Sequence, residues 1–390
     1  MNIRLILAAA MTAALPLIPG CGGGGGIGGT ANDFGTMHLS ITDAPACGYD
    51  AVHVTIDKVR VHQSSAAADA DGGWSEVVLA PAKRIDLLML TNGVLEELGQ
   101  TALPAGKYTQ MRLVLASNSG GNPLANSVTP TGAAETALTT PSAQQSGIKL
   151  NVDIDIVAGK VADFVIDFDA CKSVVKRGNL GQYNLKPVVT VVPVLSDAGL
   201  RVVGYVAPSI AGVATNVSVQ FNGLPVKATI PDVTGKFVLY PVPAGSYDLV
   251  VTSAGHVTAV MTGVPVISTA YTYVNSAALP IAPALTAMRP VSGTVAPATA
   301  TVRAMQAFIG GPVIEVAWAA VDATSGAFEF SLPINAPVKT AYVANPLSLN
   351  FVADAGAAGQ YSLEAASNAV TKAVPINALV AVPPVTFTFP

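Results

Sequence analysis

The sequence predicts an all-β protein of tandem antiparallel β-sandwiches, and three observations lead there. Hydrophobic residues make up 51% of the 390-residue chain but are dispersed as short Val-, Ala-, Leu- and Ile-rich runs. Those runs are punctuated by 36 Gly and 28 Pro, the rhythm of short strands and turns. Many of them alternate apolar and polar residues, the period of a half-buried strand. Beyond the first twenty residues no apolar run reaches the ~18 residues of a spanning helix. A net charge of −4 with 20 scattered Lys and Arg offers no basic stripe for a phosphate backbone, so nucleic acid is excluded as a partner.

Residues 1–20 place Arg4 ahead of a short apolar run that ends at Ile18, the layout of an export signal. Ile18-Pro19-Gly20-Cys21 resembles the lipobox of bacterial lipoproteins. That resemblance implies a lipoprotein signal peptide cut after Gly20, with diacylglycerol and a further acyl chain such as palmitate on Cys21. The membrane is then a partner through the lipid anchor. Residues 21–35 are a glycine-rich tether, since Gly22 to Gly26 can neither pack a core nor hold a helix. No Asp follows the cysteine, so by the same resemblance the outer membrane is the expected location. Of the 3 cysteines, lipidation of Cys21 leaves Cys47 and Cys171 either as a disulfide in an oxidising envelope or as two buried thiols.

Residues 36–197 form the first unit. His38 to Thr42, Val52 to Ile56, Tyr108 to Leu115, Ile148 to Val157, Val161 to Asp169 and Tyr183 to Leu195 read as strands. Thr91-Asn92-Gly93 predicts a hairpin between Ile85–Leu90 and Val94–Leu98, because Asn-Gly suits a turn with positive φ. Ser117 to Ser146 reads as an exposed loop. Leu39-Ser-Ile-Thr-Asp-Ala-Pro45, Gly48 to Ile56, Gly73-Trp74, Ile85-Asp-Leu-Leu88, Leu103-Pro-Ala-Gly-Lys-Tyr108 and Leu185-Lys-Pro187 together resemble a bacterial envelope domain, domain of unknown function 4382. The resemblance implies an all-β lipoprotein domain and brings no catalytic residues.

Two further stretches follow at a spacing of about 90 residues, 200–283 and 289–390. Val202-Val-Gly-Tyr-Val206 parallels Val291-Ser-Gly-Thr-Val295, and Asp232 to Tyr240 parallels Asp322 to Phe330. The first copy continues into Pro243-Ala-Gly-Ser-Tyr247 and resembles the carboxypeptidase regulatory-like or transthyretin-like (prealbumin) β-sandwich. The second offers Leu332-Pro-Ile-Asn-Ala-Pro337 where the Pro-Ala-Gly-x-Tyr element is expected.

Candidate chemistry is sparse. Gly-x-Ser-x-Gly, His-Glu-x-x-His and paired Cys-x-x-Cys motifs are missing from the sequence, so no catalytic residue is assigned and the chain is not read as an enzyme. His53 and Asp57 share a strand face, which His62 rejoins if the strand bulges near Lys58. If Ala158-Gly159-Lys160 closes a hairpin, Asp153, Asp155, Asp163, Asp167 and Asp169 fall on one face, where Lys149, Lys172, Arg112 or a Ca²⁺ ion would relieve their repulsion. Trp74, Tyr271 and Tyr273 are candidate surface aromatics for a glycan or an envelope protein. The expected function is a non-catalytic binding or structural role of a lipid-anchored envelope protein. The rivals are an envelope hydrolase, and a cation-dependent glycan-binding protein or adhesin using the acidic face.

Overall fold

The computed structural model describes residues 33–43, 48–140, 143, 146–194, 199–212 and 214–390. Residues 1–32, with the export signal, Cys21 and most of the tether, and Cys47 lie outside the described residues. The fold is nearly all β, arranged as three successive sandwiches with separate cores.

The three sandwiches share one seven-strand plan. In the first, the strands are Phe34–Asp43, Tyr49–His62, Ser75–Asp86, Glu96–Pro104, Gly106–Leu115, Ile148–Ile156 and Val161–Phe168. In the second they are Val202–Tyr205, Thr215–Phe221, Leu224–Thr229, Lys236–Leu239, Gly245–Ser253, Ala259–Val266 and Thr272–Tyr273. In the third they are Met288–Ala296, Thr301–Ala307, Val313–Ala319, Ala327–Pro333, Gln360–Ser367, Val370–Asn377 and Val385–Thr388. Each time the first strand runs antiparallel to the fourth and parallel to the seventh, forming the smaller sheet. Each time the second strand lies between the third and fifth, and the fifth pairs the sixth, forming the larger one. Apolar residues at alternate positions of the facing sheets, such as Met37, Leu39 and Ile41 on the first strand, fill the space between.

One tyrosine repeats with the plan. Tyr108 donates its hydroxyl hydrogen bond to the Pro104 carbonyl at 3.0 Å, and Tyr247 does the same to Pro243 at 2.8 Å. Tyr361 reaches Pro333 at 2.6 Å, across 28 residues of sequence. The element expected to be missing from the third sandwich is therefore present but split. Pro333 ends the fourth strand, Gly359-Gln360-Tyr361 opens the fifth, and an inserted arm separates them. Its strands Val338–Ala341 and Val352–Ala353 join the second sandwich, where Val338–Ala341 lies parallel to the sixth strand. Val338, Tyr342, Leu349 and Phe351 pack against that sandwich's core.

The first sandwich carries insertions of its own. Ser117 to Ser146 is not simply a loop: Ser127–Pro130 and Thr136–Thr139 pair with each other and extend the larger sheet from strand Tyr49–His62. Tyr183 to Leu195 divides into Gln182–Leu185 and Val189–Val194, which join opposite sheets. The expected hairpin at Asn92-Gly93 is also corrected, because Ser75–Asp86 and Glu96–Pro104 lie in different sheets. Leu87–Leu90 is a short 3-10 helix, and Asn92 and Gly93 keep their positive φ for another purpose. The Asn92 Oδ1 accepts from Val238 N at 2.6 Å and its own N–H donates to Thr229 Oγ1 at 2.7 Å, docking the turn onto the second sandwich. A Cβ at Gly93 would come within 2.9 Å of Val238.

Candidate functional site at the three-sandwich junction

The sequence-predicted acidic face does not form. Ile148–Ile156 and Val161–Phe168 lie in opposite sheets, so the link through Gly159 crosses the sandwich instead of closing a hairpin. Asp153 pairs with Lys107 at 2.6 Å, Asp155 stands opposite Lys107, and Asp163 accepts from His38 at 2.7 Å. Burial alone would lower the His38 pKa, but its hydrogen bonds to Asp163 and Glu97 raise it above the usual value. Among the described residues no three His, Cys, Asp or Glu side chains converge to hold a metal, so the Ca²⁺ reading loses its geometry.

The other candidates also separate. His53 faces Glu135 at 3.7 Å, and burial, then Arg84, pushes its pKa down. Asp57 is exposed beside a bulge, and His62 sits against Trp74 with ring centroids 5.1 Å apart. Trp74 is half-buried, with the Arg60 and Arg112 guanidinium groups 4.6 and 4.8 Å from its ring centre, and it donates to Ala68 O. Tyr271 and Tyr273 remain exposed with their rings 6.3 Å apart, and Arg201 lies over Tyr271 at 5.1 Å.

Asp167 and Asp169 take part in a different arrangement, where the three sandwiches meet. The Lys227 Nζ, from the third strand of the second sandwich, reaches Asp167 Oδ1 at 2.6 Å and the Asp43 carbonyl at 3.3 Å. Its side chain is 2% exposed. Asp43 in turn accepts from Ala170 N, and Asp169 caps the following turn by accepting from Lys172 N at 2.9 Å. From the third sandwich, Glu315 approaches Lys172 at 3.4 Å and Arg303 at 3.7 Å, while Arg303 also grips Glu364. Burial pushes the carboxyls of Asp43, Asp169 and Glu315 above their ordinary range despite these cations.

A side-chain amide bonded to the main chain secures the same place. The Gln220 amide donates to Glu315 O and accepts from Glu315 N, both at 2.8 Å, standing in for a neighbouring strand. Beside it Val250 and Val260 of the second sandwich pack with Phe308 and Ile314 of the third. Where this contact ends, a cavity of about 150 Å³ opens. Asp169 and Lys172 line it from the first sandwich, Asn216, Ser218 and Thr252 from the second, and Glu315 and Trp318 from the third. Lys172 Nζ lies 5.0 Å from the centre of the Trp318 ring. The wall thus combines hydroxyl, amide, carboxylate and ammonium groups with an aromatic ring, at a size that fits one six-membered ring. Sequence reasoning missed Glu315, Gln220, Lys227 and Trp318; the rarity of tryptophan, 2 in the chain, was the signal available.

Residues 34–187 match the family described as a domain of unknown function, DUF4382. No curated protein matches the chain. Two solved structures of type II cohesin–X–dockerin complexes from Acetivibrio cellulolyticus, a C-terminal and an N-terminal interface mutant, align at 28% and 25% identity. They cover 22% and 23% of this chain, each with a TM-score of 0.19. The chain spans 58% and 59% of those two matched chains. The major pilin subunit of Bacillus cereus aligns over 91% of this chain and 99% of its own at 12% identity and a TM-score of 0.14.

Proposed function

We propose that the chain is a lipid-anchored protein of the bacterial envelope whose role is non-catalytic binding, with the junction cavity as the binding site and one ring of an envelope glycan as its ligand. The observation that carries this reading is the cavity lining. A neutral sugar ring needs donors, acceptors and an apolar face together, and Asn216, Ser218, Glu315, Lys172 and Trp318 supply them from three sandwiches. Asp167, Asp169 and Glu315 each have a cation beside them, which suits holding a polar ligand and holding the modules.

The lipobox at Ile18 to Cys21 supports export, acylation of Cys21 and residence at the outer membrane. The disulfide is part of the same reading. Asp43 and Phe168 are ladder partners and Asp43 bonds Ala170, so the last described residue before Cys47 lies beside the turn holding Cys171. The repeated plan of the second and third sandwiches supports assigning both to one regulatory-like sandwich class.

The test uses Trp318 as its own reporter in a Trp74→Phe background. Titration with glucose, galactose or N-acetylglucosamine is expected to change the emission of Trp318 saturably for at least one sugar. Replacing the exposed Asn216 by Ala is expected to weaken that binding at least fivefold. No response to any of the three overturns the glycan reading, and turnover of a nitrophenyl glycoside by the purified protein overturns the non-catalytic one.

A further inference from the structure

We infer that the tether end of the first sandwich is a lipid-docking surface, so that this module stands with its tip in the headgroup layer instead of floating above it. The inference rests on the acylation of Cys21 proposed above.

Three large apolar side chains are exposed at this end: Phe34 at 42%, Val157 at 58% and Val161 at 63%. They form one patch. Phe34 stands opposite Pro104, and Thr36 stands between Ala102 and Val161 in the ladder, so Phe34, Ala102, Pro104 and Val161 share the outward face of the smaller sheet. Ala102 and Pro104 are exposed as well. The turn carrying Val157 is tied to the same corner, because Gly159 N donates to Phe34 O and Thr36 N donates to Lys160 O, both at 2.8 Å. At the rim Lys107 is paired with Asp153, and Lys160 is exposed, a mixture of signs suited to zwitterionic headgroups.

The position of the patch in the chain identifies what covers it. Asp33 follows Cys21 by twelve residues, which span at most about 43 Å fully extended. A patch held within that distance of an acyl chain meets the bilayer at high effective concentration, so even a small apolar area docks. The acyl chains on Cys21 hold the chain at the bilayer, and aromatic and branched aliphatic side chains beside that terminus fix how the module sits in the interface.

The experiment uses the mature acylated protein in vesicles of phosphatidylethanolamine and phosphatidylcholine. An environment-sensitive fluorophore is placed at Val157→Cys or, as the comparison, at the fully exposed Leu347→Cys on the third sandwich's arm. The unsubstituted protein serves as the labelling blank. Lipids with a spin label near the headgroup are expected to quench the label at position 157 at least threefold more than that at position 347. Adding F34S and V161S is expected to bring the two to the same level. Equal quenching in protein that floats with the vesicles overturns the docking while leaving the anchor intact. Failure of the unsubstituted protein to float, with C21S behaving identically, overturns both.

Discussion

The second and third sandwiches solve one folding problem in two ways. In the second, Pro243 and Tyr247 lie four residues apart and the turn closes locally. In the third, the same tyrosine-to-proline bond joins Tyr361 to Pro333 across an arm that packs on its neighbour. The comparison teaches that the plan resides in a few contacts between strand ends, and that chain inserted between them is free to do other work. Here it covers the sixth-strand edge of the second sandwich. The first sandwich makes the point again with Ser127–Pro130 and Thr136–Thr139, inserted between its fifth and sixth strands.

Breaking the junction is the sharpest way to test whether the sandwiches depend on one another. Lys227→Ala leaves the half-buried Asp167 without its cation and is expected to lower stability by about 3 kcal/mol in urea unfolding, the low end of the cost of removing one partner of a buried pair. Lys107→Ala, which breaks an exposed pair, is expected to leave the midpoint unchanged within error. Tyr361→Phe removes one buried hydrogen bond, worth about 1 kcal/mol. It is also expected to speed amide exchange in Val338–Ala341, whereas Tyr247→Phe is expected to cost the same and leave that arm protected.

The smallest effect concerns protons. Burial raises the Glu315 carboxyl above its ordinary range, so the folded junction keeps its proton to higher pH than the unfolded chain does. The resulting stabilisation is fully present below the ordinary pKa of 4.5 and is lost as pH rises through the folded value. Glu315→Gln, which leaves the main-chain bonds to Gln220 available, is expected to flatten the pH dependence of the unfolding midpoint in that window. The turn carboxylates behave oppositely. At Asp322 the Ser325 and Thr324 N–H groups hold the pKa down, so its contribution is present at neutral pH and lost on acidification.

Much of the fold is legible in the chain because alternation and turn residues are local properties. The strand at Tyr108 to Leu115 and the paired Asp232 and Asp322 turns were readable for that reason. What failed were inferences from turns to pairing. Asn92-Gly93 and Gly159 both make tight reversals, yet each carries the chain to the opposite sheet, since a turn fixes local backbone and the buried faces decide which sheet receives the next strand. The five aspartates were therefore never one face. The junction was illegible for a different reason: Lys227, Glu315 and Asp167 are brought together only by the packing of three modules, and nothing in their spacing announces it.

The direct measurement is calorimetric unfolding of the whole chain with and without Lys227→Ala. If the sandwiches form one body around the junction, the native chain unfolds in a single endotherm and the variant resolves into at least two. Separate endotherms in the native chain, unchanged by Lys227→Ala, would contradict the account.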